Sequence, residues 1–89
     1  MRIDKYLKVS RILKRRTVAK ELIESQRVLI NNKIAKPSTE VNVGDLVTVR
    51  MGTRELTVKV LEVREVIKKN ESADLYEVFE QKKLKEEEK

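Results

Sequence analysis

The sequence contains no cysteine and no histidine among its 89 residues. Without cysteine, the chain has neither a disulfide nor a thiolate metal site. Without histidine, it also lacks the commonest metal ligand and the usual general base of enzymes. The part expected to fold has no clustered carboxylates that could replace them. The sequence therefore predicts a protein that is not an enzyme and that uses no cofactor and no metal.

Aromatic residues and long apolar runs are equally scarce. The chain has two tyrosines, one phenylalanine and no tryptophan. Proteins that bind single-stranded RNA usually stack bases on several exposed rings, so this composition favours recognition of a folded RNA by its shape and phosphates.

No apolar run approaches the roughly 18 residues of a membrane span, and no signal-peptide core is visible. We expect a cytoplasmic, monomeric protein that does not engage membranes.

Positive charge is concentrated in the first two-fifths of the chain. The net charge is +6, and residues 1–36 hold eleven Lys/Arg against three Asp/Glu. Residues 37–67 and 68–89 each carry a small negative excess. Such an asymmetry indicates an anionic partner for the N-terminal part, and nucleic acid is the leading candidate.

Helical periodicity is confined to the N-terminal part. Apolar residues at helical spacing predict a first helix over residues 1–13 and a second over residues 18–25, with Thr17 as its N-cap. Between them stand three consecutive cations, Lys14, Arg15 and Arg16. Cations at a helix N-terminus are repelled by the helix dipole, by about 0.3–1 kcal/mol each. A bound phosphate would relieve this repulsion, so we interpret the triplet as a phosphate clamp.

The remainder favours β-structure. A hairpin is predicted over residues 28–35 around an Asn31-Asn32 turn, followed by strands over residues 46–50 and 55–63. A polar, mobile loop is predicted before residue 75. Residues 75–79 then favour a last strand over a helix. The predicted fold class is α+β, with two N-terminal helices packed on a small, mainly antiparallel twisted sheet. Residues 1–80 form one domain in this prediction, and residues 81–89 form a flexible charged tail.

The candidate RNA-binding residues are the cations of the N-terminal part together with one acid. Asp4 is the only acid among the first twenty residues, and we expect it to hold Arg2 or an arginine of the triplet in one orientation. An ordinary role at the first turn of the helix remains open for Asp4. The candidates are Arg2, Asp4, Lys5, Lys8, Arg11, Lys14, Arg15, Arg16, Lys20, Lys33 and Lys36.

One other class of function stays open at this point. A DNA-binding helix-turn-helix protein would also have two short helices and a basic face. The second helix, however, offers few outward groups for reading the major groove, mainly Lys20, Glu21 and Glu24.

Residues 2–50 resemble the S-four RNA-binding domain, named after a ribosomal protein of the small subunit. The shared motifs are an R-x-D-K-x-L opening, a basic segment before the second helix, an A-x-x-[LM]-I helix, a V-x-[IV]-N-G-x hairpin and a late V-x-x-G-D. The hairpin glycine is replaced here by Asn32, which also tolerates a left-handed backbone. The resemblance implies the αL-type RNA-binding fold. It also implies an alternative function, that of a general ribosome- and RNA-binding heat-shock factor of the same domain family that recycles stalled large ribosomal subunits.

The C-terminal part, with V-R-M-G-x-R-E-L-T-V and A-D-L-Y-E-V, is similar to the RqcP family of bacterial ribosome-associated quality control. That resemblance implies binding to 23S rRNA and peptidyl-tRNA on the large ribosomal subunit. It also implies an RqcH-type tailing factor as partner, in the addition of alanine to stalled chains without mRNA. By the same resemblance Arg2, Asp4, Lys5 and Arg16 are the positions expected to matter most.

Overall fold

The computed structural model describes residues 1–83, which form an antiparallel sheet of five strands in the order β2-β1-β3-β4-β5 with two α-helices. This confirms the predicted α+β class. None of the described helices is long and apolar enough to cross a membrane. The elements are α1 (Ile3–Val9), α2 (Arg16–Glu24), β1 (Val28–Ile30), β2 (Lys33–Ile34), β3 (Leu46–Met51), β4 (Arg54–Val60), a 3-10 helix (Lys69–Asp74) and β5 (Tyr76–Lys83).

Helix α1 is shorter than its apolar pattern predicts. It ends at Val9, and the amide of Ser10 donates to the carbonyl of Tyr6 at 2.9 Å. Arg11 then adopts a left-handed backbone with φ of 66°. The chain therefore turns after the helix, and Leu13 enters the core from this turn rather than from the helix. A buried leucine at helical spacing misled the prediction, because a turn delivers it to the same place.

Helix α2 begins earlier than predicted. Arg15 is the N-cap residue, with an extended backbone, and no side chain caps the helix. Thr17 lies inside the first turn, so its predicted role as N-cap is wrong. A threonine competes for that role only where the backbone is still extended, and here the backbone is already helical at Arg16. Two cations of the triplet thus occupy the N-cap and the first helical position.

The predicted hairpin is confirmed. Asn31 and Asn32 have φ of 52° and 69°, the positive values that a two-residue type I′ turn requires. The side-chain oxygen of Asn31 also accepts the amide of Leu46 at 3.0 Å, which ties the turn to β3. Strand β4, by contrast, ends at Val60 rather than at residue 63, because the amides of Leu61 and Glu62 donate to the carbonyl of Leu75 instead of continuing the ladder.

One face of the sheet and the two helices enclose the core. Most core side chains are valine, leucine or isoleucine, and the full burial of each one stabilises the fold by about 1.5–3 kcal/mol. Tyr6 is buried with them, and its hydroxyl donates to the carbonyl of Leu75 at 2.8 Å. Burial, and then the charge of Tyr76, raise the pKa of Tyr6 well above its usual range. The largest core side chains are Ile3, Tyr6, Leu7, Ile23, Val28, Val41, Val47, Val49, Val58, Val60 and Leu75.

The C-terminal part is more regular than its polarity predicts. Residues 69–74 form a 3-10 helix where a mobile loop was expected, and the Glu71 carboxylate accepts the amide of Lys68 at 3.0 Å. The predicted last strand is confirmed, and β5 extends past the expected boundary at residue 80 to Lys83. Its last residues pair with the start of β4, Lys82 with Glu55 and Lys83 with Arg54, at the edge of the sheet. Residues 84–89 of the predicted tail lie outside the described part.

Candidate nucleic-acid interface

The carboxylate of Asp4 is completely buried between two arginines. It lies 3.3 Å from the guanidinium of Arg2 through one oxygen and 3.3 Å from that of Arg16 through the other. The side chains of both arginines remain nearly half exposed. The remaining N–H donors of the two forks are therefore available to a ligand. This pairing is the orienting role that the sequence predicted for Asp4.

Charge and burial act against each other on Asp4. Burial alone would raise the pKa of the carboxyl group. The hydrogen bond and charge of Arg16, followed by the charge of Arg2, outweigh burial and hold the pKa of Asp4 below its ordinary value of 3.8. The group is consequently ionised at neutral pH and keeps both arginines in place.

The cations of the triplet differ from one another. Arg16 is neutralised by Asp4 within the free protein, so the dipole repulsion expected for it is offset. Lys14 and Arg15 are exposed and form no ion pair within residues 1–83. The unfavourable charge at the start of α2 therefore belongs mainly to Arg15, its N-cap residue.

A second group of cations lines a cleft beside the turn after α1. Lys8, Arg11 and Lys14 recur every three residues and share this cleft of about 410 Å³. None of them pairs with a carboxylate in the described part of the chain. The other lining residues are Val9, Leu13, Glu65, Val66 and Ile67.

Glu65 brings a single negative charge to this cleft, and Lys5 neutralises it. The ammonium of Lys5 donates to the Glu65 carboxylate. This hydrogen bond and the charge of Lys5 lower the pKa of Glu65. The cleft consequently keeps the full charge of its three cations, while Lys5 is occupied in the free protein.

The remaining predicted residues lie apart from these two groups. Lys20 is exposed on α2, Lys33 is exposed in the short edge strand β2, and Lys36 follows that strand. No described hydrogen bond or ion pair connects them to Asp4 or to the cleft. Sequence reasoning missed residues 65–67, because a short run after a predicted strand gives no signal that it closes a basic cleft.

Comparison with known proteins shows the family of this chain. Residues 1–47, more than half of the chain, match the S4 domain. The chain belongs to the S4 domain family. This confirms the resemblance to the S-four domain. All the candidate RNA-binding residues lie within the S4 domain match, whereas residues 65–67 lie beyond it.

The most similar relatives extend beyond the S4 domain. The chain is 49% identical over 86 residues to the RQC P-site tRNA stabilizing factor of Streptococcus pneumoniae, covering 97% of this chain and 98% of that protein. The factor of the same name from Bacillus subtilis is 48% identical over 84 residues, covering 94% of this chain and 98% of that protein. These matches confirm the similarity to the quality-control family.

Heat shock protein 15 is a more distant S4-domain relative. The Escherichia coli protein is 38% identical over 78 residues, covering 86% of this chain and 59% of that protein. The solved trimeric structure of Heat Shock Protein 15 from Vibrio cholerae superimposes with a TM-score of 0.81 at 32% identity, covering 88% of this chain and 80% of that one. The fold is therefore shared even where the identity is lower.

Proposed function

We propose that this protein is a non-enzymatic factor that binds the phosphates of folded RNA on the large ribosomal subunit. The RNA-binding cations are together called the N-terminal basic face. They are Arg2, Lys5, Lys8, Arg11, Lys14, Arg15 and Arg16, with Lys20, Lys33 and Lys36 lying apart from the others. Its ligands are 23S rRNA and peptidyl-tRNA, in the rescue of stalled nascent chains. Such a role is cytoplasmic. The observation that carries the proposal is the pair of arginines held by buried Asp4.

The held arginines suit phosphate better than mobile side chains would. A guanidinium presents a rigid fork of donors that matches two phosphate oxygens at once. Binding normally requires an ordering cost for each flexible side chain, of about 0.5–1.5 kcal/mol. Asp4 orders Arg2 and Arg16 before the ligand arrives, so less of this cost remains for the binding step.

The charges on α2 favour RNA binding over insertion of this helix into the major groove of DNA. Glu21 and Glu24 are exposed on α2 beside Lys20. A recognition helix lies in the major groove between two phosphate backbones, where exposed acids are repelled. The cations instead gather at the start of α2 and in the preceding turn. The start of α2 and the preceding turn therefore form a surface that fits the phosphates of a folded RNA.

Similarity along nearly the whole chain favours quality control over general recycling. The chain spans 98% of the RQC P-site tRNA stabilizing factors from two bacteria but 59% of Heat shock protein 15 from Escherichia coli. The name of the former describes the stabilisation of a P-site tRNA. By analogy, this protein supports mRNA-independent alanine tailing together with an RqcH-type factor.

Sedimentation tests the proposal. Purified protein is mixed with large subunits carrying peptidyl-tRNA, with vacant large subunits, with whole ribosomes, or with duplex DNA, and bound protein is measured after centrifugation. We expect the first sample to retain the most protein. Alanine tailing by an RqcH-type factor on the same subunits should be stimulated by the protein. Equal retention on duplex DNA, or catalytic turnover by the protein alone, would contradict the proposal.

A further inference from the structure

The cleft beside the turn after α1 is lined by two kinds of side chain. Lys8, Arg11 and Lys14 supply its cations, and Val66 and Ile67 supply apolar surface, as do Val9 and Leu13. Val66 is 84% exposed, the largest exposed fraction among the exposed large apolar side chains of residues 1–83. An isolated exposed valine needs no explanation, but this one lines a cleft that also holds three unneutralised cations.

The composition of the cleft specifies an amphipathic anion. A phosphate backbone alone would use the cations and leave the apolar lining in water. A purely apolar ligand would leave the cations unused. A nucleotide combines a phosphate with a flat, largely apolar base, and thereby complements both kinds of lining.

The size of the cleft limits the ligand to one such unit. Small-molecule sites in proteins enclose about 300–1,000 Å³, and this cleft of about 410 Å³ is near the lower end. A base pair or a helical segment requires a broader surface. Bases in RNA loops and bulges are unstacked and are the usual targets of proteins that contact bases.

We infer that the cleft binds one unstacked nucleotide of the bound RNA. Lys8, Arg11 and Lys14 contact the phosphates on either side of the nucleotide, and Val66 with Ile67 covers a face of the base. The inference rests on the proposed function and adds a base contact to phosphate recognition. It also gives a role to residues 65–67, which lie beyond the S4 domain match.

The ion pair of Lys5 with Glu65 keeps this cleft available. Glu65 lies in the same short segment as Val66, and its pairing with Lys5 prevents it from neutralising the cations of the cleft. The pair also connects the segment to α1, which carries Lys8. The segment is thus held to α1 before RNA binds.

Opposite substitutions of Val66 test the inference. Val66→Ser removes the apolar surface, and Val66→Phe supplies a ring on which a base stacks. Affinity is measured by fluorescence titration with large subunits that carry peptidyl-tRNA. We expect about five- to tenfold weaker binding for Val66→Ser, as for the loss of roughly 1–1.4 kcal/mol of apolar contact. Val66→Phe should bind more tightly than the wild type. The salt dependence should be unchanged in both, because no charge is altered.

Val43 supplies the matched control. It is 65% exposed in the turn before β3 and does not line the cleft. Val43→Ser and Val43→Phe should bind as the wild type does. If Val66 and Val43 variants behave alike, within twofold of the wild type, the inference is wrong while the proposed function stands. If the wild type fails to bind the subunits, both fail.

Crosslinking identifies what occupies the cleft. The chain has no cysteine, so Val66→Cys accepts a single photoreactive label. We expect the label to crosslink to one nucleotide of 23S rRNA or tRNA, and base-specific chemical probing should show that nucleotide protected by the wild type but not by Val66→Ser. A crosslink to a ribosomal protein or to the tailing factor would overturn the inference.

Discussion

The guanidinium of Arg16 donates to the carboxylate of Asp4 at 3.3 Å, although the two residues are 12 positions apart. Asp4 lies in the first turn of α1 and Arg16 is the first residue of α2. The contact therefore fixes the two helices to each other at the place where the basic residues converge. It gives Arg16 two roles, since the same side chain neutralises a buried acid and presents donors to the ligand.

Arg16→Ala should weaken both folding and RNA binding. The substitution leaves buried Asp4 with Arg2 as its remaining ion-pair partner among the described residues. We expect a loss of about 1–2 kcal/mol in the free energy of unfolding, below the value for a fully buried pair, because Arg16 is nearly half exposed. Subunit affinity should fall about 10- to 100-fold, as for a charged hydrogen bond. Urea denaturation and subunit titration measure the two effects.

Arg16→Lys separates the two roles of Arg16. Lysine keeps the positive charge but lacks the planar fork. We expect this variant to recover most of the stability and only part of the affinity. Full recovery of binding would show that charge alone is needed, and normal binding by Arg16→Ala would show that Arg16 is purely structural.

Asp4→Asn should remove part of the pH dependence of stability. The pKa of Asp4 is lowered in the folded protein, so its ionised form stabilises the fold above the unfolded pKa of about 4. This contribution disappears as the pH falls through the lower, folded pKa. The midpoint of urea denaturation should therefore drop less between pH 7 and pH 3 in Asp4→Asn than in the wild type. An equal drop in both proteins would mean that other acids cause it.

Binding should weaken steeply with salt. If four to six phosphates are neutralised, the logarithm of the affinity falls with the logarithm of salt concentration with a slope of about −3 to −5. Lys14→Ala should reduce the magnitude of that slope by roughly 1, since one phosphate contact is lost. Lys59→Ala, which removes an exposed cation from the outer face of β4, should leave the slope unchanged. Equal slopes for the two variants would contradict the assignment of Lys14.

Arg11→Gly should stabilise the protein and weaken its binding. Arg11 holds a left-handed backbone, with φ of 66°, which costs most residues about 1–2 kcal/mol and costs glycine little. After the larger unfolded-state entropy of glycine is subtracted, we expect a gain of about 0.5–1 kcal/mol. Asn32→Gly, at φ of 69°, is the control and should gain less stability without losing affinity. Thermal melting and subunit titration measure both, and a loss of stability in Arg11→Gly would contradict the account.

Local rules predicted the β part of the fold well. The Asn31-Asn32 turn has few alternatives between two β-prone runs, and alternation identified β3 and most of β4. Helix limits were less predictable, because they depend on tertiary contacts. Leu13 enters the core from a turn. Strand β4 ends where the carbonyl of Leu75 accepts the amides of Leu61 and Glu62. Nothing local to either segment carries that information.

In the candidate site, too, local features could be predicted from the sequence and long-range contacts could not. A lone acid among cations was enough to predict that Asp4 would hold arginines, since few other partners were available to it. The sequence also led us to expect that Arg16 would destabilise the free protein, which its pairing with Asp4 offsets. The contact of Lys5 with Glu65 joins residues 60 positions apart. It could not be anticipated, because neither residue has a pattern that identifies the other.

The most direct test of the account compares two triple variants in their binding to large subunits carrying peptidyl-tRNA. One variant replaces Lys8, Lys14 and Arg15 by alanine, all exposed and unpaired within residues 1–83. The other replaces Arg50, Lys59 and Lys82, which lie on the outer face of the sheet. Both lose three charges. We predict that the first loses at least a hundredfold in affinity while keeping its stability, and that the second binds nearly as the wild type does. Equal losses in the two variants would contradict an RNA-binding surface on the N-terminal basic face.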